Sequence, residues 1–263
     1  MTGSITGNEL YRLRTGLAER DWQVISTLAK VRLASSDQLE ALHFAGVSRR
    51  RAQQRLAVLV ERRVLARLPR VIGGVRAGSR GHVYALDVAG QRLADLDRGR
   101  RPRPPKPVGR RYIDHVLAVT AAYVRLVLAE RAGSVRILQF IGEPGAWRTF
   151  FGPGGGRLTV NPDAYVVLLV NSDEDFWFLE VDLGTEFAPT LTRKCNLYRS
   201  YWQSGTEEAR TGVFPRVLWL VPNERRAEVL RQVIRRQPGE AAELFDVALS
   251  DAVVERVLQG AAP

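Results

Sequence analysis

Apolar residues recur at helical spacing early in the chain: Trp22, Ile25 and Leu28, with Val24 and Val31 adjoining, predict a helix over 21–31. Ser35-Ser36-Asp37-Gln38 reads as a capping box. Ser35 caps and Gln38 reaches back, opening a short helix through Leu39, Leu42 and Phe44. Ala45-Gly46-Val47 predicts a tight turn. Ser48 then caps a helix over 49–63, whose buried stripe is Ala52, Leu56, Leu59 and Val60. Residues 64–71 and 82–86 predict two strands, joined by a Gly-rich loop that carries Arg76 and Arg80.

The pattern changes at 98–110, where four prolines and six cations oppose a helix and predict an extended, semi-rigid tether. Beyond it, Val116, Val119, Tyr123 and Val127 share one face of a helix over 115–131, which His115 opens, facing the site described below. A strand over 135–141 follows, with Glu143 behind it as a further acid. The glycine run at 152–156 reads as a mobile loop. Two apolar runs, 165–170 and 176–183, suit buried strands, with 171–175 as a polar hairpin loop between them. A helix from 188 to 203, a strand over 216–221 and a helix over 223–236 complete the pattern.

Helix, short helix, turn, helix and two strands is the order of a winged helix-turn-helix domain. Helix, three strands, helix and strand is an α/β order. The expected fold is therefore α+β: a winged helix-turn-helix at 1–97, the tether at 98–110, and an α/β domain with a small mixed sheet at 111–263.

Charge sharpens the first half. The whole chain carries +11, but residues 1–110 hold 22 Lys/Arg against 9 Asp/Glu, a net of +13, whereas 111–263 hold 17 against 19. A basic module joined to a near-neutral one is the footprint of a protein that binds nucleic acid, with double-stranded DNA the expected partner. Arg49, Arg50, Arg51, Gln53 and Gln54 open the second long helix. Arg and Gln suit bidentate base contacts and phosphates. Arg76 and Arg80 would extend that surface from the wing loop. Neither glycine-rich loop ends in Gly-Lys-Ser/Thr, which excludes a phosphate-binding P-loop. One cysteine, Cys195, excludes an intramolecular disulfide framework and a Cys-based zinc site. Residues 1–8 are polar and no run approaches 18 apolar residues, so the expected location is the cytoplasm, without membrane.

The second half holds its chemistry in Asn161-Pro162-Asp163 and Phe178-Leu179-Glu180-Val181-Asp182. Asp163 opens one strand; Glu180 and Asp182 lie two apart on its neighbour, hence on one face. Carboxylates set in apolar strands need partners, because a buried unpaired charge is costly. Hard oxygen ligands suit Mg²⁺ or Mn²⁺, with Asp163 and Glu180 as the ligands. The spacing resembles the PD-(D/E)xK nuclease core, in which a lysine stands two residues after the acid. Here Asp182 occupies that place, and Lys194 lies on the following helix. In that resemblance Asp163, Glu180, Asp182 and Lys194 are the catalytic set. Asp182 either completes the metal shell or orients Lys194 as its ion partner.

Taken together, Asp37-Gln38-Leu39, the basic tether, His115-Val116-Leu117-Ala118-Val119, Pro162-Asp163-Ala164, Phe178 to Asp182 with Gly184-Thr185-Glu186, and Lys194 with Tyr198 resemble the replication-relaxation family. The resemblance covers about 20–240 of the chain. It implies a role in replication, mobilisation or maintenance of plasmids or integrated mobile elements, alongside replication or mobilisation proteins, and is compatible with a homodimer. Two alternatives stand beside that reading: a metal-dependent DNA nickase or endonuclease, and a transcription regulator that dimerises through the second domain.

Overall fold

The computed structural model describes residues 5–69, 81–94, 105 and 108–260. Helices and a small mixed sheet divide between two units, Met1–Val124 and Arg125–Pro263. The expected tether falls almost wholly outside the described residues, as do Arg76 and Arg80.

The first unit runs α1 (Gly7–Thr15), α2 (Glu19–Val31), β1 (Ala34–Ser35), α3 (Ser36–His43), α4 (Arg49–Glu61), β2 (Leu65–Arg67), β3 (Val83–Leu86), α5 (Val88–Ala94) and the first turns of α6 (Arg110–Arg131). The capping box is in place: Gln38 N donates to Ser35 Oγ at 3.2 Å, and Ser35 N donates to Gln38 Oε1 at 2.9 Å. Ser48 stands at the N-cap of α4, but its hydroxyl makes no cap hydrogen bond. Val24, Ile25 and Leu28 of α2, Leu39 of α3, Leu56 and Leu59 of α4, and Leu65 and Tyr84 of the sheet form one core. Asp21, 1% exposed, ties the entry of α2 to α4 by accepting from Ala18 N at 2.8 Å and from the Arg55 guanidinium.

Two helices escape the hydrophobic pattern. α1 has no fully buried residue and packs on the core only through half-buried Leu10 and Leu13, a stripe too short to read. Its only signal is the Thr6–Glu9 capping box. α5 is seven residues long and contains Gly90, which lies so close to β2 that an added Cβ would meet the Val64 carbonyl oxygen at 2.1 Å.

α6 starts at Arg110, five residues before the predicted helix. By length and composition it is the one described helix that could cross a membrane. Its early turns nevertheless serve the first unit's packing. Ile113 and Val116 join Leu33, Leu68 and Ala85 in a small apolar cluster. Thr120 Oγ1 donates to Leu33 O at 2.7 Å, and Gln38 Nε2 donates to Leu117 O at 2.8 Å.

The second unit contains β4 (Arg136–Gly142), β5 (Arg148–Phe151), β6 (Arg157–Val160), β7 (Ala164–Val170), β8 (Asp173–Val181), α7 (Ala188–Gln203), α8 (Thr206–Thr211), β9 (Arg216–Val221), α9 (Glu224–Arg235), β10 (Phe245–Leu249) and α10 (Val253–Gly260). Five strands form a mixed sheet in the order β10-β9-β8-β7-β4. β4, β7 and β8 pair antiparallel; β8, β9 and β10 run parallel. Tyr165, Val167, Phe178, Val217 and Trp219 pack with Leu191, Tyr198 and Tyr201 of α7 and with Leu230 and Val233 of α9.

The β7–β8 loop differs from expectation. Val170 pairs with Asp173, so the β7–β8 turn is only Asn171-Ser172, with Asn171 at φ +56°. Asp173, Glu174 and Asp175 belong to β8; three successive acids hid a strand end from a pattern read on hydrophobicity. The glycine run at 152–156 closes the β5–β6 hairpin, with Gly152 N donating to Gly156 O at 2.9 Å.

The α6 contacts predict that a fragment ending at residue 97 is less stable than one ending at 131. Exposing the partners of Ile113 and Val116 should cost about 3 kcal/mol, at roughly 1.5 kcal/mol or more for each buried aliphatic side chain. Urea unfolding of the two fragments measures the difference, and equal midpoints would refute the role given to α6.

Candidate functional site

Strand register builds the acidic site. Ala164 pairs with Leu179, which sets Asp163 across from Glu180 just beyond the β7 ladder. Asp163 N donates to Leu179 O at 2.9 Å, and Val181 N donates to Asp163 Oδ2 at 2.7 Å. Glu180 alternates in phase with Phe178, so it points to the face that α7 covers. Both carboxylates are buried, at 8% and 2% exposure.

α7 supplies the partners of Glu180. Lys194 and Tyr198 are four residues apart and therefore stacked on one helix face. Tyr198 Oη donates to Glu180 Oε1 at 2.6 Å, and Lys194 Nζ lies 3.3 Å from Oε2. Lys194 also reaches Glu186 Oε1 at 3.1 Å and sits 5.4 Å from the Trp219 ring centroid.

Asp182 takes a different partner from the one expected of it. Its Oδ2 accepts from Arg226 Nε, and its Oδ1 accepts from Gly184 N at 2.8 Å. Arg226 Nη2 also donates to Glu186 O at 2.6 Å. Arg226, from the first turn of α9, thus holds the whole 182–186 loop; Asp182 anchors that loop, and Lys194 pairs instead with Glu180 and Glu186. Sequence spacing carries no signal for Arg226, because the two residues meet only through the parallel β8–β9 pairing.

Glu143 comes in from the other side. Gly142 pairs with Ala164, so the next residue out faces Asp163, and Glu143 N donates to Asp163 O at 3.2 Å. A carboxylate oxygen of Glu143 and one of Asp163 lie within 4.8 Å of each other. His115 sits on α6 in the first unit. Asp163 and Glu143 carry oxygen donors of the kind that a hard divalent cation takes. Both Glu180 oxygens already serve Tyr198 and Lys194.

Burial raises the Glu180 carboxyl to about 7, Lys194 opposing the shift and Asp163 adding to it. Lys194 is pulled down by burial, but Glu180 and Glu186 outweigh that and hold the ammonium well above its ordinary value. Burial, then Glu180, pushes the Tyr198 phenol far up, so it remains a donor. Cys195, also behind the site, is raised to about 12 by burial and is inert.

In the first unit, α4 exposes Arg49, Arg50, Arg51, Gln53 and Gln54. Ala52, Leu56 and Leu59 turn the opposite face inward. Arg49 is not like its neighbours: its Nη2 donates to Asp37 at 2.8 Å, and Nε lies 3.8 Å from Glu40. A cavity of about 560 Å³ opens beside it, lined by Ser36, Arg49, Gln53, Arg67, His82 and Tyr84. The described residues therefore bring Arg49 and Gln53 together; Arg76 and Arg80 lie outside them.

The sequence model of the replication-relaxation family matches residues 25–217, which takes in α4 and the acidic site alike. No curated protein and no solved structure matches the chain.

The raised Glu180 carboxyl gives a stability signature. Between pH 4.5 and about 7 the folded chain keeps a proton that the unfolded chain releases, so stability falls as pH rises through that window. The loss should approach about 3 kcal/mol, at 1.36 kcal/mol per pH unit. In Glu180→Gln this component should vanish from unfolding free energies measured across the window; parallel curves for the two proteins would contradict it.

Proposed function

The chain belongs to the replication-relaxation family, and we propose that it is a DNA-binding protein acting in replication, mobilisation or maintenance of a plasmid or integrated mobile element. The observation that carries this reading is the α4 surface, where Arg50, Arg51, Gln53 and Gln54 stand exposed in the half of the chain that holds all the excess positive charge. Residues 1–97 act as a winged helix-turn-helix on duplex DNA, 98–110 as a basic tether, and 111–263 as a PD-(D/E)xK-like domain. The protein works in the cytoplasm beside replication or mobilisation proteins, compatibly with a homodimer.

A second reading, a metal-dependent nickase or endonuclease, is favoured by one observation: Lys194, displaced from strand to helix, still reaches Glu180 at 3.3 Å. Asp163 and Glu180, with Glu143 adjoining, would hold Mg²⁺ or Mn²⁺. Such an ion supplies Lewis acidity, polarising the scissile phosphate and lowering the pKa of the attacking water. The chain's own groups do the rest. Glu180 and Glu186 keep Lys194 charged and aimed at the charge that builds on the phosphate. Tyr198 fixes the orientation of Glu180.

Salt dependence tests the first reading. Arg50→Ala with Arg51→Ala should flatten the slope of log affinity against log salt by about 1.8, at about 0.9 per phosphate contact. Arg49→Ala should add little, because Asp37 and Glu40 already engage it. An unchanged slope in the double variant would remove α4 from the interface.

Incubation of supercoiled DNA with Mn²⁺ tests the second. Asp163→Ala should abolish nicking, and Lys194→Ala should slow it about a hundredfold, the usual effect of losing one group that stabilises developing charge. Duplex affinity should hold in both variants. Nicking that survives Asp163→Ala would leave the acidic cluster without a catalytic part.

A further inference from the structure

Among the described residues three aromatic side chains of the second unit are exposed, Trp147, Phe151 and Phe187, and two of them, Trp147 and Phe187, adjoin residues of the acidic site in sequence. Phe187 is 81% exposed and follows Glu186, the residue whose carboxylate holds Lys194 at 3.1 Å. Trp147 is 43% exposed and lies four residues after Glu143. Exposed apolar residues are common on mobile loops, but neither of these is loosely held.

Arg148 braces the turn that bears Trp147. Its guanidinium is largely buried, its Nη1 donates to the carbonyls of Gly145 at 3.1 Å, Ala146 at 2.8 Å and Trp147 at 3.2 Å, and its Nε lies 3.3 Å from the buried Glu207 carboxylate. Trp147 N donates to Pro144 O at 3.2 Å. Arg226 and α7 brace Phe187. Arg226 Nη2 donates to Glu186 O at 2.6 Å, and Phe187 O receives Thr190 N at 2.9 Å and Leu191 N at 3.2 Å. Two largely buried arginines thus hold two backbone turns that offer their aromatic rings to solvent, one turn following Glu143 in the chain, the other following Glu186, whose carboxylate pairs with Lys194.

A rigidly presented ring forgoes burial and gives up little conformational entropy on binding, which is the economy of a stacking surface. A duplex keeps its base faces for itself, whereas unpaired bases offer theirs to aromatic side chains. We propose that Trp147 and Phe187 are stacking platforms for unpaired bases, so that the carboxylate site of the second unit takes DNA as a single strand. The proposal rests on the reading of that site as one that acts on DNA.

The test uses the full-length chain in Ca²⁺, titrated into a single-stranded oligonucleotide carrying 2-aminopurine and into the duplex of the same sequence. Single-strand binding should quench the 2-aminopurine. The Trp147→Ala, Phe187→Ala double variant should bind the single strand about thirtyfold more weakly, the low end for two lost stacked bases. Its salt slope should not change, because no phosphate contact is removed. Trp147→Phe with Phe187→Tyr should retain quenching and affinity, and duplex affinity should be the same in all three proteins. Undiminished single-strand affinity in the double variant, equal losses on duplex, or a deficit confined to self-association in sedimentation would overturn the proposal. If the aromatic variants are silent while Asp163→Ala still abolishes nicking, the stacking inference falls and the site reading stands. If Asp163→Ala is silent as well, the site reading falls and takes the inference with it.

Discussion

The buried carboxylate of Glu180 sets the terms for the second unit. At 2% exposure it cannot rely on water, so the fold must bring it donors, and α7 brings both at once through residues one helical turn apart. That demand fixes where α7 lies against the sheet, and α7 in turn carries Leu191, Cys195 and Tyr201 into the main core. The β7–β8 pairing then decides what stands next to the acid. With a two-residue turn at Asn171-Ser172, the register sets Asp163 opposite Glu180; a slip of one residue would send one of them to the other face.

Much of this was open to reading in the sequence, and the failures have physical causes. Helices with an apolar stripe, α2, α4, α7 and α9, follow directly from periodicity, and β9 coincides with the predicted 216–221. α1, β1, α5, β5, β6, α8, β10 and α10 lie outside the predicted elements. α1 offers only half-buried Leu10 and Leu13, α5 is a short helix interrupted by a glycine, and β5 and β6 lie outside the main sheet and pair with each other. β8 starts three residues before the predicted strand because its first three positions are acids, which carry no hydrophobic signal.

The site divides in the same way. Asp163 and Glu180 could be named because carboxylates interrupt apolar strands, and Lys194 because it follows at helical reach. Glu143 could be named as a further acid behind its strand, but Arg226 could be placed only by knowing which strands are neighbours, since it lies 44 residues after Asp182. Arg226 gives Asp182 its partner, so that carboxylate serves as a buried anchor. In the first unit the basic composition was visible, but the engagement of Arg49 by Asp37 and Glu40 was not. Those acids lie on a different helix, and it is the short turn between α3 and α4 that brings them over.

The spacing of Lys194 and Tyr198 on one helix has a further consequence. Each residue of an α-helix turns the side chains by about 100°, so sliding α7 by a single position would swing both away from Glu180 together. A rotated α7 would leave the acid with neither donor. The register of α7 therefore decides both partners of the carboxylate at once, not one at a time.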